Sequence, residues 1–194
     1  MRKLVYYVGI SLDGYIAGPG GEWDFYPVSD QMSAWINERY PEAVPTHMRP
    51  AAGLETAANQ TIDTVVMGRG TYEPALTVGI TSPYAHLRQY VVSSTLGEIA
   101  DPSVEVVTGD PVGLVRKLKA EEGKNIWLAG GGKLAGALLS EIDEMVIKSY
   151  PVVAGTGVPA IAGEFQPTQF TPTQRESFDN GALVTWYTRA SAAA

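Results

Sequence analysis

The sequence holds no cysteine. Disulfides, thiolate metal sites, iron–sulfur clusters and cysteine nucleophiles are therefore excluded together. Histidine is scarce as well: His47 lies in a proline-rich stretch and His86 in a polar one. Neither stands at a spacing from Asp, Glu or the other His that would make a metal site or a catalytic triad, so no metal is expected. Basic charge is also short, because 14 Lys and Arg face 21 Asp and Glu for a net charge of −7. No basic run interrupts that balance, and a phosphate backbone would be repelled, so nucleic acid is not an expected partner. Finally, no long apolar run is present. Met1-Arg2-Lys3 and the segment Leu4 to Ile10 are broken at Asp13, too soon for a signal peptide or a membrane span. The expectation is a cytoplasmic protein with no membrane partner, opening on a buried strand.

What is present is a globular composition, with 45% hydrophobic and 18% charged residues over 194 positions. That length suits one domain, taken as residues 1–190, with a frayed tail at 191–194. Short β-branched or apolar runs occur at Leu4 to Ile10, Thr64 to Met67, Gln89 to Val92, Val104 to Val107, Ile126 to Ala129 and Met145 to Ile147. Helical spacing separates some of them. Met32, Trp35, Ile36 and Tyr40 form one stripe, and Leu114, Val115 and Leu118 form another behind Asp110 as N-cap and Pro111 at the first helical position. Alternating strands and helices imply an α/β fold with a largely parallel sheet. The end departs from this, because Phe170 to Phe178 and Ala182 to Thr188 flank Asp179-Asn180-Gly181, a tight-turn signal for an antiparallel hairpin. Together these runs predict a mixed sheet of about eight strands. Pro41 to Thr61, with three prolines, reads as a long connection carrying one short helix over Ala51 to Asn59.

The most informative stretch runs from Ile126 through Gly130-Gly131-Gly132-Lys133-Leu134 to Leu139, an apolar strand passing through glycines into a helix. Glycines allow the backbone to approach an anion, while free N–H groups and the helix dipole supply positive charge. Gly130, Gly132 and Ala135 formally fit G-x-G-x-x-A, but a Rossmann motif belongs at the first strand with an acid ending the next, and here Lys148-Ser149-Tyr150 stands at that place. A Walker loop fails as well, since Leu134 follows Lys133. A ligand-free turn would suit the glycines equally if the motif stood alone. It has company. Gly68-Arg69-Gly70-Thr71 closes another strand with a phosphate-forking cation and a hydroxyl, and Ser93-Ser94-Thr95 closes a third with hydroxyls. The bland readings are a surface cation, an N-cap and a polar turn.

Met67-Gly68-Arg69-Gly70-Thr71-Tyr72-Glu73, Val92-Ser93-Ser94 and Ala129-Gly130-Gly131-Gly132, in this order, resemble the NADPH-binding segments of dihydrofolate reductases. Ile10-Ser11-Leu12-Asp13-Gly14-Tyr15-Ile16-Ala17 and Pro151 to Pro159 resemble the reductase domain of the bifunctional riboflavin-biosynthesis deaminase-reductases. The resemblance implies a three-layer dihydrofolate-reductase-like fold and NADPH as cofactor. It implies that Arg69, Ser93 and Ser94 surround the adenosine 2′-phosphate, that Thr71 and Gly131 to Leu134 hold the pyrophosphate, that Gly9 and Ile16 border the nicotinamide, and that Gly68 and Gly130 also belong to the cofactor site. Tyr15 and Trp23 would then face a small-molecule substrate, with Gly18-Pro19-Gly20-Gly21 a mobile loop beside them. A homodimer is implied too, since the riboflavin-pathway reductases pair through their sheets. Departures are visible. Tyr15 stands where those reductases usually carry Lys, and Pro74 to Val78 does not match their Asp-containing stretch. The acid that folate reductases use has its nearest counterpart in Asp30, the candidate catalytic group, one residue off in spacing from Pro27 and equally readable as an acid in a first helical turn. The expected activity is hydride transfer from NADPH to a small pteridine-, pyrimidine- or carbonyl-type substrate. True dihydrofolate reduction and an NADPH-binding module without turnover stand as alternatives.

Overall fold

The computed structural model describes residues 1–190; the expected frayed tail, 191–194, lies outside them. Ten strands and four α-helices follow in the order β1 (Leu4–Ile10), β2 (Tyr15–Ala17), α1 (Asp30–Arg39), β3 (Ile62–Gly68), α2 (Arg69–Thr77), β4 (Arg88–Val92), β5 (Val104–Val107), α3 (Pro111–Ala120), β6 (Asn125–Gly130), α4 (Gly132–Ala137), β7 (Glu144–Ser149), β8 (Val158–Pro159), β9 (Phe170–Ser177) and β10 (Leu183–Arg189). Eight of the strands form one sheet, ordered β5-β4-β3-β6-β1-β7-β10-β9. The six from β5 to β7 are mutually parallel, and β10 and β9 close the edge as an antiparallel pair. This is the mixed, mostly parallel arrangement expected.

Each sheet face buries its own core. Tyr7, Met67, Val91, Trp127 and Val184 pack beneath Met32 of α1 and Tyr72 of α2, while Leu4, Tyr6, Val66 and Leu128 pack beneath Val115 of α3 and Leu134 of α4. The result is three layers, and it explains why the parallel strands read as unbroken apolar runs: side chains pointing both ways are buried. The C-terminal hairpin turns as a three-residue loop. Phe178 C=O accepts from the N–H of Gly181, which sits at φ +80°, while no non-glycine residue among the described residues has positive φ. Asn180-Gly181 thus acts through a turn with one left-handed glycine and not through a two-residue loop.

Two features depart from the sequence reading. The helix expected over Ala51 to Asn59 is absent; two short 3-10 turns at Pro41–Ala43 and Thr46–Met48 come earlier instead. Gly53 at φ +68° breaks a helical path, and the buried Arg49 guanidinium donates to the carbonyls of Pro41 and Ala57, which holds the segment in turns. The second departure is a separate two-stranded antiparallel ribbon, β2 with β8, pairing Tyr15 with Pro159 and Ala17 with Val158. Asp13 fastens it. Its carboxylate accepts from the N–H groups of Ala154 and Gly155 and from the Ser11 hydroxyl, and these bonds pull its pKa down to about 2. Beyond the ribbon, Ala160 donates to Gly14 C=O, Ala162 donates to Gly132 C=O, and Tyr6 OH donates to Ala160 C=O at 2.5 Å. The stretch following β8 therefore lies against both the first loop and the start of α4.

Candidate functional site

The parallel strands β1, β3, β4 and β6 all end at the same sheet edge, so Gly9, Gly68, Ser93 and Gly130 are brought to one side of the molecule by topology alone. That is the edge where α/β sheets bind ligands. Two helices begin there on glycine. Gly68 precedes α2, Gly131 precedes α4, and neither helix start receives a side-chain cap. The two starts are adjacent, because a Cβ placed on Gly68 would lie 3.3 Å from the Gly131 nitrogen. Thr71 looks into the same spot: its Oγ1 is 3.4 Å from where a Gly130 Cβ would be and 3.8 Å from that of Gly131. Ile16 closes the side, with Cδ1 3.8 Å from the same Gly130 position.

Each glycine has its own reason. Gly130, at φ +117°, occupies a conformation that L side chains rarely adopt, while a Cβ on Gly132 would run into the Pro159 carbonyl. Gly131 has φ −83° and room for a Cβ within the protein, so there the glycine leaves space that nothing in the chain fills. Backbone N–H groups at a helix start, unpaired and unobstructed, suit an anion. Helix α4 is only six residues long, so the local N–H groups matter here more than an extended dipole.

At the neighbouring strand end the Arg69 guanidinium, half exposed, donates to Thr95 Oγ1 at 2.7 Å and faces Glu73 at 3.3 Å. Ser94 and Thr95 are exposed beside it. Ser93 is buried, and its hydroxyl accepts from the N–H groups of Thr95 and Leu96, so it shapes the loop that presents the other two. Thr95 is one of the three hydroxyls that close this strand in the sequence, although the resemblance puts only Ser93 and Ser94 beside Arg69. Lys133 is exposed at the start of α4, and Leu134 is buried, packing into the core under the cradle.

The other side of the edge is aromatic. Tyr26 OH donates to Tyr15 C=O at 2.6 Å, and its ring lies 4.6 Å from that of Tyr150. A Cβ on Gly9 would lie 3.0 Å from Tyr150 Cε2 and 3.8 Å from Lys148 Cε. Tyr15 is half-buried in the ribbon, whereas Trp23 is 65% exposed in the glycine-rich loop, so it does not cover the core. Asp30 is exposed in the first turn of α1 behind the N-cap Ser29, where an acid complements the helix dipole. The structure brings together Gly9, Ile16, Gly68, Thr71 and Gly130 to Leu134, with Arg69, Ser93 and Ser94 at the adjoining strand ends. It leaves Asp30 and Trp23 at the surface.

Known proteins agree with this architecture. Against solved structures, the chain matches a putative riboflavin biosynthesis protein from Shewanella sp. PV-4 at 29% identity and TM-score 0.68, over 98% of this chain and 100% of that one. It also matches a Thermotoga maritima diaminohydroxyphosphoribosylaminopyrimidine deaminase/5-amino-6-(5-phosphoribosylamino)uracil reductase at 14% identity and TM-score 0.65, over 97% of this chain and 57% of that one, a likeness of fold. Among sequences, the Bacillus subtilis (strain 168) protein YwjB is 33% identical over 160 residues, 81% of this chain and 82% of its own length. The family model of the RibD C-terminal domain matches residues 2–184, and the chain is a member of that family.

Proposed function

We propose that this protein is an NADPH-dependent reductase of a small heterocyclic or carbonyl substrate. Family membership supports an oxidoreductase of the reductase type. The observation that carries the cofactor reading is the meeting of two uncapped, glycine-started helices beside Thr71, with Arg69 at the next strand end. A dinucleotide pyrophosphate fits the first, and the 2′-phosphate of NADPH fits the second. In this reading Gly131 and Gly132 donate backbone N–H groups to the pyrophosphate, Thr71 donates its hydroxyl, and Arg69 with Ser94 and Thr95 binds the 2′-phosphate. Ile16 and Gly9 border the reacting end. When bound, NADPH supplies the hydride; the protein orients the two partners and excludes water between them. Asp30, exposed at a helix start, lends no support to folate reduction.

Fluorescence titration with NADPH and NADH, followed by NADPH oxidation across pterins, pyrimidines, quinones and aldehydes, tests the proposal. NADPH is expected to bind more tightly than NADH, and at least one substrate class to be reduced. Tight NADPH binding with no turnover would leave a binding module, and no binding of either dinucleotide would end the cofactor reading.

A further inference from the structure

The ribbon that carries Ile16 is too small to hold itself. β2 has three residues and β8 two, with a register irregularity between Tyr15 and Ala17, and a lone two-stranded pair is marginal in water even at greater length. The chain leading into β8 adds no stiffness, since Gly155 at φ +77° and Gly157 at φ +155° are residues with many other backbone paths open to them. Yet Ile16 stands at the wall of the cradle, with Cδ1 3.8 Å from the Cβ position of Gly130. Something outside the ribbon fixes it there.

At one end that part falls to Asp13. The residue is exposed, yet both oxygens of its carboxylate are engaged by the chain: Oδ1 accepts from the Ser11 hydroxyl at 2.6 Å and from the Ala154 N–H at 3.0 Å, and Oδ2 accepts from the Gly155 N–H at 2.7 Å. Three charge-assisted bonds on one carboxylate fix the relative place of the first loop and the segment before β8. Ser11, fully buried, passes the restraint on. Its Oγ accepts from the N–H of Tyr15, the first residue of β2, and its own N–H donates to the Tyr15 carbonyl. Ile16 follows directly. At the other end the chain is fastened without Asp13: Tyr6 OH of β1 donates to Ala160 C=O, and Ala162 N–H donates to Gly132 C=O of α4. Loss of the Asp13 carboxylate would therefore loosen β2 and leave the glycine cradle standing.

We propose that Asp13 is a positioning residue of the cofactor site, holding β2 so that Ile16 borders the reacting end of the bound dinucleotide. This rests on the NADPH reading above. The test separates the two ends of the cofactor. 2′,5′-ADP carries the 2′-phosphate and a 5′-phosphate but no nicotinamide, so it engages the Arg69 end and the cradle without reaching Ile16. Isothermal calorimetry of the full chain with NADPH and with 2′,5′-ADP reads the split, beside the ligand-free melting temperature. Asp13→Asn keeps the shape but sets an amide N–H against a backbone N–H. Its NADPH affinity should fall on the order of tenfold, as where an outer residue orients the one that touches the ligand, while 2′,5′-ADP affinity stays at the parent value. Combined with Ile16→Ala, the loss should be smaller than the sum of the two single losses, because both changes act on one contact. Should Asp13→Asn no longer unfold cooperatively, Ser11→Ala, which removes one of the three bonds, is read by the same split. Equal loss of the two ligands, undiminished NADPH affinity, or additive losses in the double variant each overturn the proposal. A parent that binds neither NADPH nor 2′,5′-ADP is a different result, which ends the cofactor reading and this inference with it.

Discussion

Two of the four α-helices begin with a side-chain cap and two do not. In α1 the Ser29 hydroxyl accepts from Met32 N–H, and in α3 the Asp110 carboxylate accepts from Gly113 N–H. The starts of α2 and α4 rest on Gly68 and Gly131, with no such bond. Both kinds of start face the same stability problem, since the first N–H groups of any helix lack intrahelical partners. Ser29 and Asp110 solve it within the chain. Gly68 and Gly131 leave it open, side by side, at the sheet edge where ligands bind. A glycine at the cap position forgoes only about a few tenths of a kcal/mol relative to a capping side chain, and finding the omission twice, at neighbouring helices, is the pattern on which the proposed cofactor site rests.

The sharpest way to break this contrast is to fill the space at Gly131. Its φ of −83° lies outside the left-handed region, and a Cβ there meets only Thr71 Oγ1 at 3.8 Å. Gly131→Val should therefore keep its fold, with a ligand-free melting temperature close to the parent, while NADPH binding is abolished. A folded variant with parental affinity would show the glycine starts to be turns only.

Lys148 is the next lever, because it too is a group left unsatisfied: among the described residues no carboxylate pairs with its ammonium. Its folded pKa of about 8 lies below the ordinary lysine value of 10.5. Below pH 8 the folded state carries the full penalty of an enclosed ammonium, which fades as pH rises toward 10.5, where the unfolded chain loses its proton as well. Lys148→Met should accordingly stabilise the protein at pH 7 by about 2 kcal/mol, and the gain should disappear by about pH 10.5. Urea denaturation at several pH values reads both.

Arg69→Ala should weaken NADPH by about 1.5 to 3 kcal/mol and leave NADH nearly unaffected. Equal loss for the two dinucleotides would move Arg69 away from the 2′-phosphate. The smallest effect is the complement: Ser29→Ala should lower stability by about 1 kcal/mol with dinucleotide affinity unchanged, and a fall in affinity there would erase the distinction between capped and uncapped starts.

These contrasts were unevenly visible in the residues. Asp110-Pro111 announced its helix, and the observed cap and start agree, because capping is local chemistry between residues three apart. Gly130 to Leu134 announced a strand-to-helix turn for the same reason. Asn180-Gly181 announced a hairpin, although the loop uses one left-handed glycine. The stretch Ala51 to Asn59 suggested a helix that Arg49 prevents through two carbonyls eight residues away on either side, a competition that periodicity does not register. Thr95 reaches Arg69 only because β3 and β4 are neighbours, a fact of topology. Lys148 was read as the polar end of a strand. Since β7 lies between β1 and β10, the lysine is half-buried, and sequence alternation does not reveal which polar strand residue meets that fate.

The ribbon of β2 and β8 ties residues far apart in the chain, and its continuation touches α4. Asp13 holds Ala154 and Gly155, Ala160 holds Gly14, and Ala162 holds Gly132, so the first loop, the ribbon and the glycine cradle share one hydrogen-bonded path. Opening any one of these segments would release bonds belonging to the others. Bonds shared in this way predict that the three segments open together in amide exchange, as one cooperative unit. A molecule seated in the cradle is then expected to slow exchange as far away as Asp13, stiffening the first loop and the ribbon without touching them.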